Sequence, residues 1–412
     1  MFGLRVALLL LVCFAANASE KDAISVEATI TGRHLPYGTI LNPIFAAPGS
    51  TTIAAYTRCG DSALFTGHYL AAEAFRYAAT RSIQALANAR TAVNGLTMLT
   101  DITGIDLLAR CALPASSPYA AGIAHEESAN GVHRATRNGE SWIWLGNTSR
   151  DQYCGAFFGL GAAYDLITDP PTRSAIAALV TRLTQNLLNH GWNIVMPDQS
   201  VSTTFLIRPD EQLTILAIAQ HVNPSFQSQY LQMAGASAFT VPLPLGIDSA
   251  NNQSSYFKFN LDFIDLYNLI RLTSPTASAH GYYEDGYSAV RSATSTHQNA
   301  FFDMIDRALH GPDANRDAEV RASLDAWLQR PRTDGFVDLR GKYPACSSNE
   351  ACNPVPVAER PPSDFLWQLD PYQLSGGGSG VIETAGIDYT LPFWMARFYG
   401  VIEPALPHPH IH

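Results

Sequence analysis

The sequence predicts an all-α fold, an (α/α)6 toroid with six inner helices, about six outer helices and long functional loops. Three observations lead there. Only 15% of the 412 residues are charged while 47% are apolar, against roughly 25% charged in an ordinary globular domain, so much of the chain is buried on more than one side. Six segments are apolar around most of their helical circumference, and five of these are followed by a helix with a polar face. An all-round apolar helix needs cover on several sides, whereas its polar-faced successor can lie at the surface. An open stack of helical hairpins uses the same alternation; the closed arrangement is the expectation carried forward.

The chain opens with Arg5, an apolar run over residues 6–14 and the small-x-small triplet Ala16-Asn17-Ala18, the pattern of a cleaved secretory leader over 1–18. The run is far shorter than the roughly 20 residues that cross a bilayer, so no membrane anchor is expected and the mature chain is assigned to the periplasm or the exterior. Residues 19–58 read as a mixed segment packed across the helices. Residues 59–402 form the helical domain, and 403–412 is a His/Pro tail without fixed structure. The net charge of −10 and the lack of any Lys/Arg cluster argue against nucleic acid as a partner.

Residues 61–79 carry Leu64, Tyr69, Ala72, Phe75 and Ala79 near helical spacing, with Asp61 as N-cap after Gly60. A more polar helix over 82–99 turns back on it. The pair recurs at 149–167, rich in small residues, followed by 170–188 with Pro170-Pro171 at its start. Further pairs are expected at 210–222 with 225–236, at 256–272 with 284–293, and at 297–309 with 315–328. The last inner helix spans 383–399. The connections 104–147 and 335–379 exceed ordinary loop length, which in a compact domain points to function.

Six cysteines are present, and Cys13 leaves with the leader. In an exported chain without a C-x-x-C pair the remaining ones are expected as disulfides, Cys346 with Cys352 and Cys59 with Cys111. Cys154 is left over as a small buried residue.

If the inner helices run the same way, their first residues converge at one end: Asp61, Ser149-Arg150-Asp151, Asp210-Glu211, Asn251-Asn252, His297 and Glu383. Each could merely cap its helix. Their company suggests more, since His68 and Tyr69 follow Asp61, and Gln152 and Tyr153 follow Asp151. Two carboxyl groups can cleave a glycosidic bond as general acid and base, separated by roughly 6.5 to 9.5 Å when the reaction inverts. Asp61 and Asp151 fit that scheme. Alternatively, a Tyr or His base with a neighbouring Arg abstracts a proton beside a uronate carboxyl and eliminates the bond; Tyr153, Arg150 and His297, with His68 behind them, fit that one. Trp142, Trp144, Trp367 and Trp394 are candidate stacking surfaces for sugar rings. Residues 360–368, with Arg360, Asp364, Trp367 and Gln368, read as a cleft wall. The glycine-rich stretch 375–380 reads as a lid or a close-approach loop, and it lacks the Lys and the strand of a phosphate-binding loop.

No cofactor and no metal are expected: His125-Glu126-Glu127 lacks an i, i+4 His pair, and the tail histidines His408, His410 and His412 sit at a terminus. There is no G-x-S-x-G elbow for a serine hydrolase.

The phrases Phe65-Thr66-Gly67-His68-Tyr69-Leu70-Ala71-Ala72 and Ser149-Arg150-Asp151-Gln152-Tyr153-Cys154-Gly155, each opening an aromatic-rich helix, resemble the (α/α)-toroid enzymes of polysaccharide breakdown, a group that includes unsaturated glucuronyl hydrolases and alginate-type lyases. The likeness spans residues 60–330 in pattern and only these phrases in letters. Where the glucuronyl hydrolases carry an Arg-Gly-Gln-Ala-Trp style of inner helix, this chain has Arg150-Asp151-Gln152-Tyr153. The resemblance implies an exported enzyme acting on an oligo- or polysaccharide, with Asp61, Asp151, Tyr153 and His297 as catalytic candidates. His68, Tyr69, Arg150, Gln152, Trp144, Trp367, Gln368 and Glu383 are the expected substrate contacts. A non-catalytic glycan-binding or envelope scaffold is the reading from another class.

Overall fold

In the computed structural model, residues 18–250, 255–346 and 349–403 are described. The expected leader, apart from Ala18, and the tail beyond Glu403 lie outside them, as do Asn251 and Asn252.

The chain is mostly helical, 56% by residue, with small strands between the helices. It starts with α1 (Glu20–Thr29), where Ser19 and Asp22 form a reciprocal capping box. The hairpin β1 (Asn42–Phe45) and β2 (Ile53–Thr57) follows, then α2 (Ser62–Thr80), which ends at Arg81 in the left-handed region, and α3 (Ile83–Asp101), capped by Ser82. The long connection expected over 104–147 folds into β3 (Cys111–Pro114), α4 (Ala120–Glu126), β4 (Val132–Arg137) and β5 (Glu140–Leu145), the strands forming an antiparallel sheet in the order β3-β5-β4. Next come α5 (Arg150–Leu166), α6 (Pro170–Asn189), the pair β6 (Asn193–Val195) and β7 (Val201–Thr204), α7 (Pro209–Val222) and α8 (Gln227–Ser237). The chain continues through α9 (Pro242–Ala250), α10 (Phe257–Leu272), α11 (His280–Thr294), α12 (Ala300–His310), α13 (Ala314–Trp327), the pair β8 (Val337–Asp338) and β9 (Ser375–Gly376), and α14 (Ile387–Phe398).

Three expectations need correction. The helix α9 is additional to the expected pairs; its Pro242 and Pro244 both fall in the first turn, where no intrahelical N–H is needed. The helix expected from His297 begins at Ala300, since the Asn299 side chain accepts the Phe301 and Phe302 N–H groups and sets the cap. The helix expected from Glu383 begins at Ile387, after Gly386 at φ 71°; Glu383 lies instead in extended chain, its N–H donating to Pro43 O.

Six apolar helices make neighbour contacts in sequence: α2 with α5, α5 with α7, α7 with α10, α10 with α12, α12 with α14, and α14 with α2. The polar-faced α3, α6, α8, α11 and α13 pack against them. Contacts at both ends show that neighbours run in the same direction. At the N-terminal ends, Leu64 N–H donates to Gln152 Oε1 and Arg150 pairs with Glu211. At the C-terminal ends, Asp165 pairs with both His221 and Arg271, and Tyr267 reaches Tyr399.

Between these helices the space is filled by rings. His68 lies against Phe65, Phe158, Phe301 and Trp367, fully buried, with Nδ1 at Leu64 O and Nε2 3.1 Å from Asn260 Oδ1. The tightest seam is between α2 and α5. A Cβ at Gly67 would overlap the Gly155 carbonyl, one at Gly155 would overlap Leu64, and one at Gly159 would overlap the Gly67 carbonyl. The two backbones touch through three missing side chains.

Both expected disulfides are formed, Cys59–Cys111 and Cys346–Cys352, with Cα separations of 5.4 and 5.1 Å, and Cys154 is free and buried. Among the described residues no helix is long and apolar enough to cross a membrane.

Gly159→Ala has to push two helix backbones apart, so unfolding in denaturant should show a loss of at least about 3 kcal/mol, the upper range for overpacking; Gly122→Ala, in α4 with open space around it, should be close to neutral. A second expectation concerns α12. His310 Nδ1 is 2.9 Å from Asp306 and its Nε2 is 3.0 Å from Glu284, and the Asp306 hydrogen bond, with Glu284 behind it, raises the imidazole to about 9. Because the folded value exceeds the ordinary one near 6.5, this stabilisation is complete below that value and is lost as pH rises through about 9. Thermal midpoints measured across that window should fall in the wild type and stay flatter in His310→Gln.

Candidate functional site

The end where the N-termini of α2, α5, α7 and α10 gather holds most of the buried charge in this part of the molecule. Helix caps on the outside are conventional: the side chains of Ser82, Asp169 and Asp313 accept the first-turn N–H groups of α3, α6 and α13. By contrast, the side chains of Asp61 and Ser149, the N-cap residues of α2 and α5, accept none. Asp61 is the N-cap of α2 by position only. Its carboxyl accepts no hydrogen bond among the described residues, so the bland reading, that this acid is there to cap, does not describe it.

Asp61 is held by its surroundings rather than by hydrogen bonds. The preceding turn is anchored by the Cys59–Cys111 disulfide, by Gly60 N–H donating to Glu127 Oε1 at 2.8 Å, and by Arg110, which donates to Gly60 O and to Ser149 Oγ. Arg110 thereby ties the start of α2 to the start of α5. Burial and the neighbouring Asp151 charge push the Asp61 carboxyl up to about 6, against the opposing pull of Arg58 and Arg110. Asp151 sits in the first turn of α5 with Oδ1 buried and unpartnered. Asp61, Arg150 and Asp151 are all partly exposed, so the two acids form the solvent-facing edge, or mouth, of this charged end.

Deeper in, Arg150 pairs with Glu211 at 3.4 Å. Arg208, only 13% exposed, faces Asp210, Glu211, Asp248 and Asp262. Burial first, and then Asp210, push Glu211 up to about 8 in spite of Arg208 and Arg150. Burial also raises Asp262 and Asp265 well above the ordinary carboxylate range. Oxygens of Glu211, Asp262 and Asp265 have no hydrogen-bond donor. Arg208 was not singled out from the sequence. Its signal is its place directly before Pro209-Asp210-Glu211, where a cation precedes a helix whose first turn carries two acids.

The remaining candidates are distributed elsewhere. Tyr153 is fully buried, its hydroxyl accepting Leu108 N–H and its ring edge-on to Phe205. His297, 2% exposed, lies against Tyr256 and Tyr372, and burial together with Arg360 and Arg291 lowers it to about 4. No contact joins Tyr153 to His297. Tyr69 points to α1 and donates to Glu27, and Gln152 is buried, accepting Leu64 N–H. Trp144 stacks on His133 at 4.1 Å and Trp367 packs on His68, so neither ring face is open. Gln368 accepts Phe365 N–H. Glu383 pairs with Arg33 and His34. In 360–368, Asp364 pairs with Arg58 beside Asp61, while Arg360 is buried and donates to His297 O and Val355 O. The glycine run is a close-approach loop: Cβ atoms at Gly377 and Gly378 would overlap Gly335 and Asp334. Of the expected set, the structure brings together Asp61, Asp151, Arg150 and Gln152.

No protein-family model, no curated protein and no solved structure matches the chain.

Replacing Arg208 leaves four carboxyl groups without their shared counter-charge. Arg208→Met should therefore cost about 3–5 kcal/mol of unfolding free energy, the range for one partner removed from a buried pair, with the loss read from denaturant midpoints at pH 7.

Proposed function

We propose that the protein is an exported hydrolase of oligo- or polysaccharides, with Asp61 as general acid and Asp151 as general base. One observation carries this reading: Asp61, free of hydrogen bonds and raised to about 6, stands beside Asp151, whose buried Oδ1 has no partner, at a partly exposed mouth. A carboxyl group raised to about 6 beside a second carboxyl group is an arrangement that can supply the general acid and general base of glycosidic hydrolysis. In this reading Asp61 protonates the leaving oxygen while Asp151 takes a proton from the attacking water. We further propose that the circuit of helix contacts closes as an (α/α)6 toroid. It is supported by the contact of α14 with α2 and by the common direction of neighbouring helices. Export is supported by the leader-like first residues and by the two disulfides.

Asp61→Asn and Asp151→Asn should each lower turnover by roughly 10²–10⁴-fold with helical content and thermal midpoint nearly unchanged. The wild-type rate should decline as pH rises through about 6, where Asp61 gives up its proton. New reducing ends without ultraviolet absorbance, from a panel of neutral and uronate polymers, support hydrolysis. Absorbance from an unsaturated product would replace it with elimination, and binding without cleavage would replace it with a scaffold.

A further inference from the structure

Directly beneath this mouth, α5, α7 and α10 place three metal-binding atoms together. Cys154 Sγ and one carboxylate oxygen each of Glu211 and Asp265 lie within 4.8 Å of one another, and all three side chains are buried. They come from the second turn of α5, the first of α7 and the third of α10, so the rigid packing of three helices, and no loop, sets their spacing. We propose that these residues bind one divalent cation of the zinc class, with a fourth coordination position left for water or a further carboxylate.

The acids alone would not carry this. Glu211 and Asp265 are 1% and 2% exposed, Asp265 Oδ2 and both Glu211 oxygens are buried without a hydrogen-bond partner, and the Cys154 thiol bonds the Asp265 carboxyl. Only the guanidiniums of Arg150 and Arg208 approach Glu211, at 3.4 and 3.5 Å. Buried oxygens are almost always satisfied, and an ion would satisfy this orphan set on two helices together with the thiol that a third helix brings to it. The charge balance points the same way. Six carboxyl groups, those of Asp151, Asp210, Glu211, Asp248, Asp262 and Asp265, share this region with two guanidiniums.

Donor chemistry selects the ion. A sulfur ligand disfavours magnesium and calcium, which take oxygen, and one sulfur with two carboxylates suits zinc or cobalt(II). A zinc bond of roughly 2.0–2.3 Å requires the three atoms to close inward from separations of up to 4.8 Å. Binding displaces the Sγ proton to solvent, so the ligand is thiolate. The route in passes Arg150 and Asp151, which are partly exposed. The proposal stands on these three residues and holds whether or not the protein cleaves sugars.

The test uses the full chain, isolated from an oxidising compartment, with cobalt(II) as probe, supplied both to chelator-treated protein and in the growth medium. One equivalent per chain should bind with a near-ultraviolet sulfur-to-cobalt charge-transfer band. Cys154 is the free cysteine of the described residues, the others there being paired, so the band reports on it. Cys154→Ser should abolish the band, and Asp265→Asn, which keeps the sulfur, should weaken binding at least about tenfold to a hundredfold; circular dichroism confirms the fold of each. The tail histidines can also take up cobalt, but without sulfur charge transfer. Absence of the band in the wild type, its persistence in Cys154→Ser, or unchanged affinity in folded Asp265→Asn overturns the proposal and leaves a cluster neutralised by protons. No arm reads turnover, so a failed metal site and a failed hydrolase are told apart.

Discussion

The backbone contact between α2 and α5 is the constraint on which the rest depends. Helices ordinarily stand off from each other by the width of their side chains, 8–10 Å between axes. Here Gly67, Gly155 and Gly159 remove that spacer, and each would drive a Cβ into the opposite backbone or into Leu64. The consequence reaches the helix ends. With the two axes this close, the first turn of α2 lies on the first turn of α5, Leu64 N–H reaches the Gln152 side chain, and Asp61 comes under the influence of Asp151. The acid pair at the mouth is therefore a product of packing further down the same two helices.

The second feature of that end is its electrostatic expense. Burying a carboxylate costs several kcal/mol unless it is paired and hydrogen-bonded, yet Glu211, Asp262 and Asp265 are raised toward neutrality and keep orphan oxygens. Arg208 limits the cost by serving four acids at once, and Arg150 adds one contact from α5. A protein under selection for stability alone would replace these acids with the Leu and Ile that fill the rest of α7 and α10. Their persistence is a stability cost concentrated where α5, α7 and α10 meet.

Helical content was legible because its signal is local. Alternation of all-round apolar with polar-faced segments, Pro170-Pro171 after Asp169, and Ser82 before 83–101 each mark a boundary that the chain honours. What was not legible depended on partners distant in sequence. His68 and Tyr69 are adjacent to Asp61 in the chain, but a helix turns its side chains outward in all directions, so Tyr69 faces Glu27 and His68 faces Asn260. His297 and Glu383 look like helix starts until Asn299 and Gly386 are seen to set the boundaries. Arg208 looks like an ordinary residue before a helix, and only the meeting of α7 with α10 shows it as the counter-charge of four acids. The strands of 104–147 were hidden for a related reason: β4 alternates exposed and half-buried positions, and its pairing with β5 is recognisable only once Trp142 and Trp144 are seen facing the helices.

A comparison within the molecule separates the acids that support structure from those available for chemistry. Between α1, α2 and α3 lies a second buried acidic group, Glu27 and Glu73. Glu27 accepts from the Tyr69 hydroxyl at 2.8 Å and from Asn88, and Glu73 accepts from Arg76. The two carboxyl groups also hydrogen-bond each other, which with burial drives Glu73 well above its ordinary range. One shared proton accounts for their orphan oxygens, and both residues are at most 3% exposed, so no solute reaches them. Asp61 and Asp151 differ on each point. They repel without sharing a hydrogen bond, no donor satisfies them, and both touch solvent. Burial and a raised pKa are common to the two groups and so do not identify a site. Asp61 and Asp151 differ from Glu27 and Glu73 in their path to solvent, which they have where the α2–α5 seam ends.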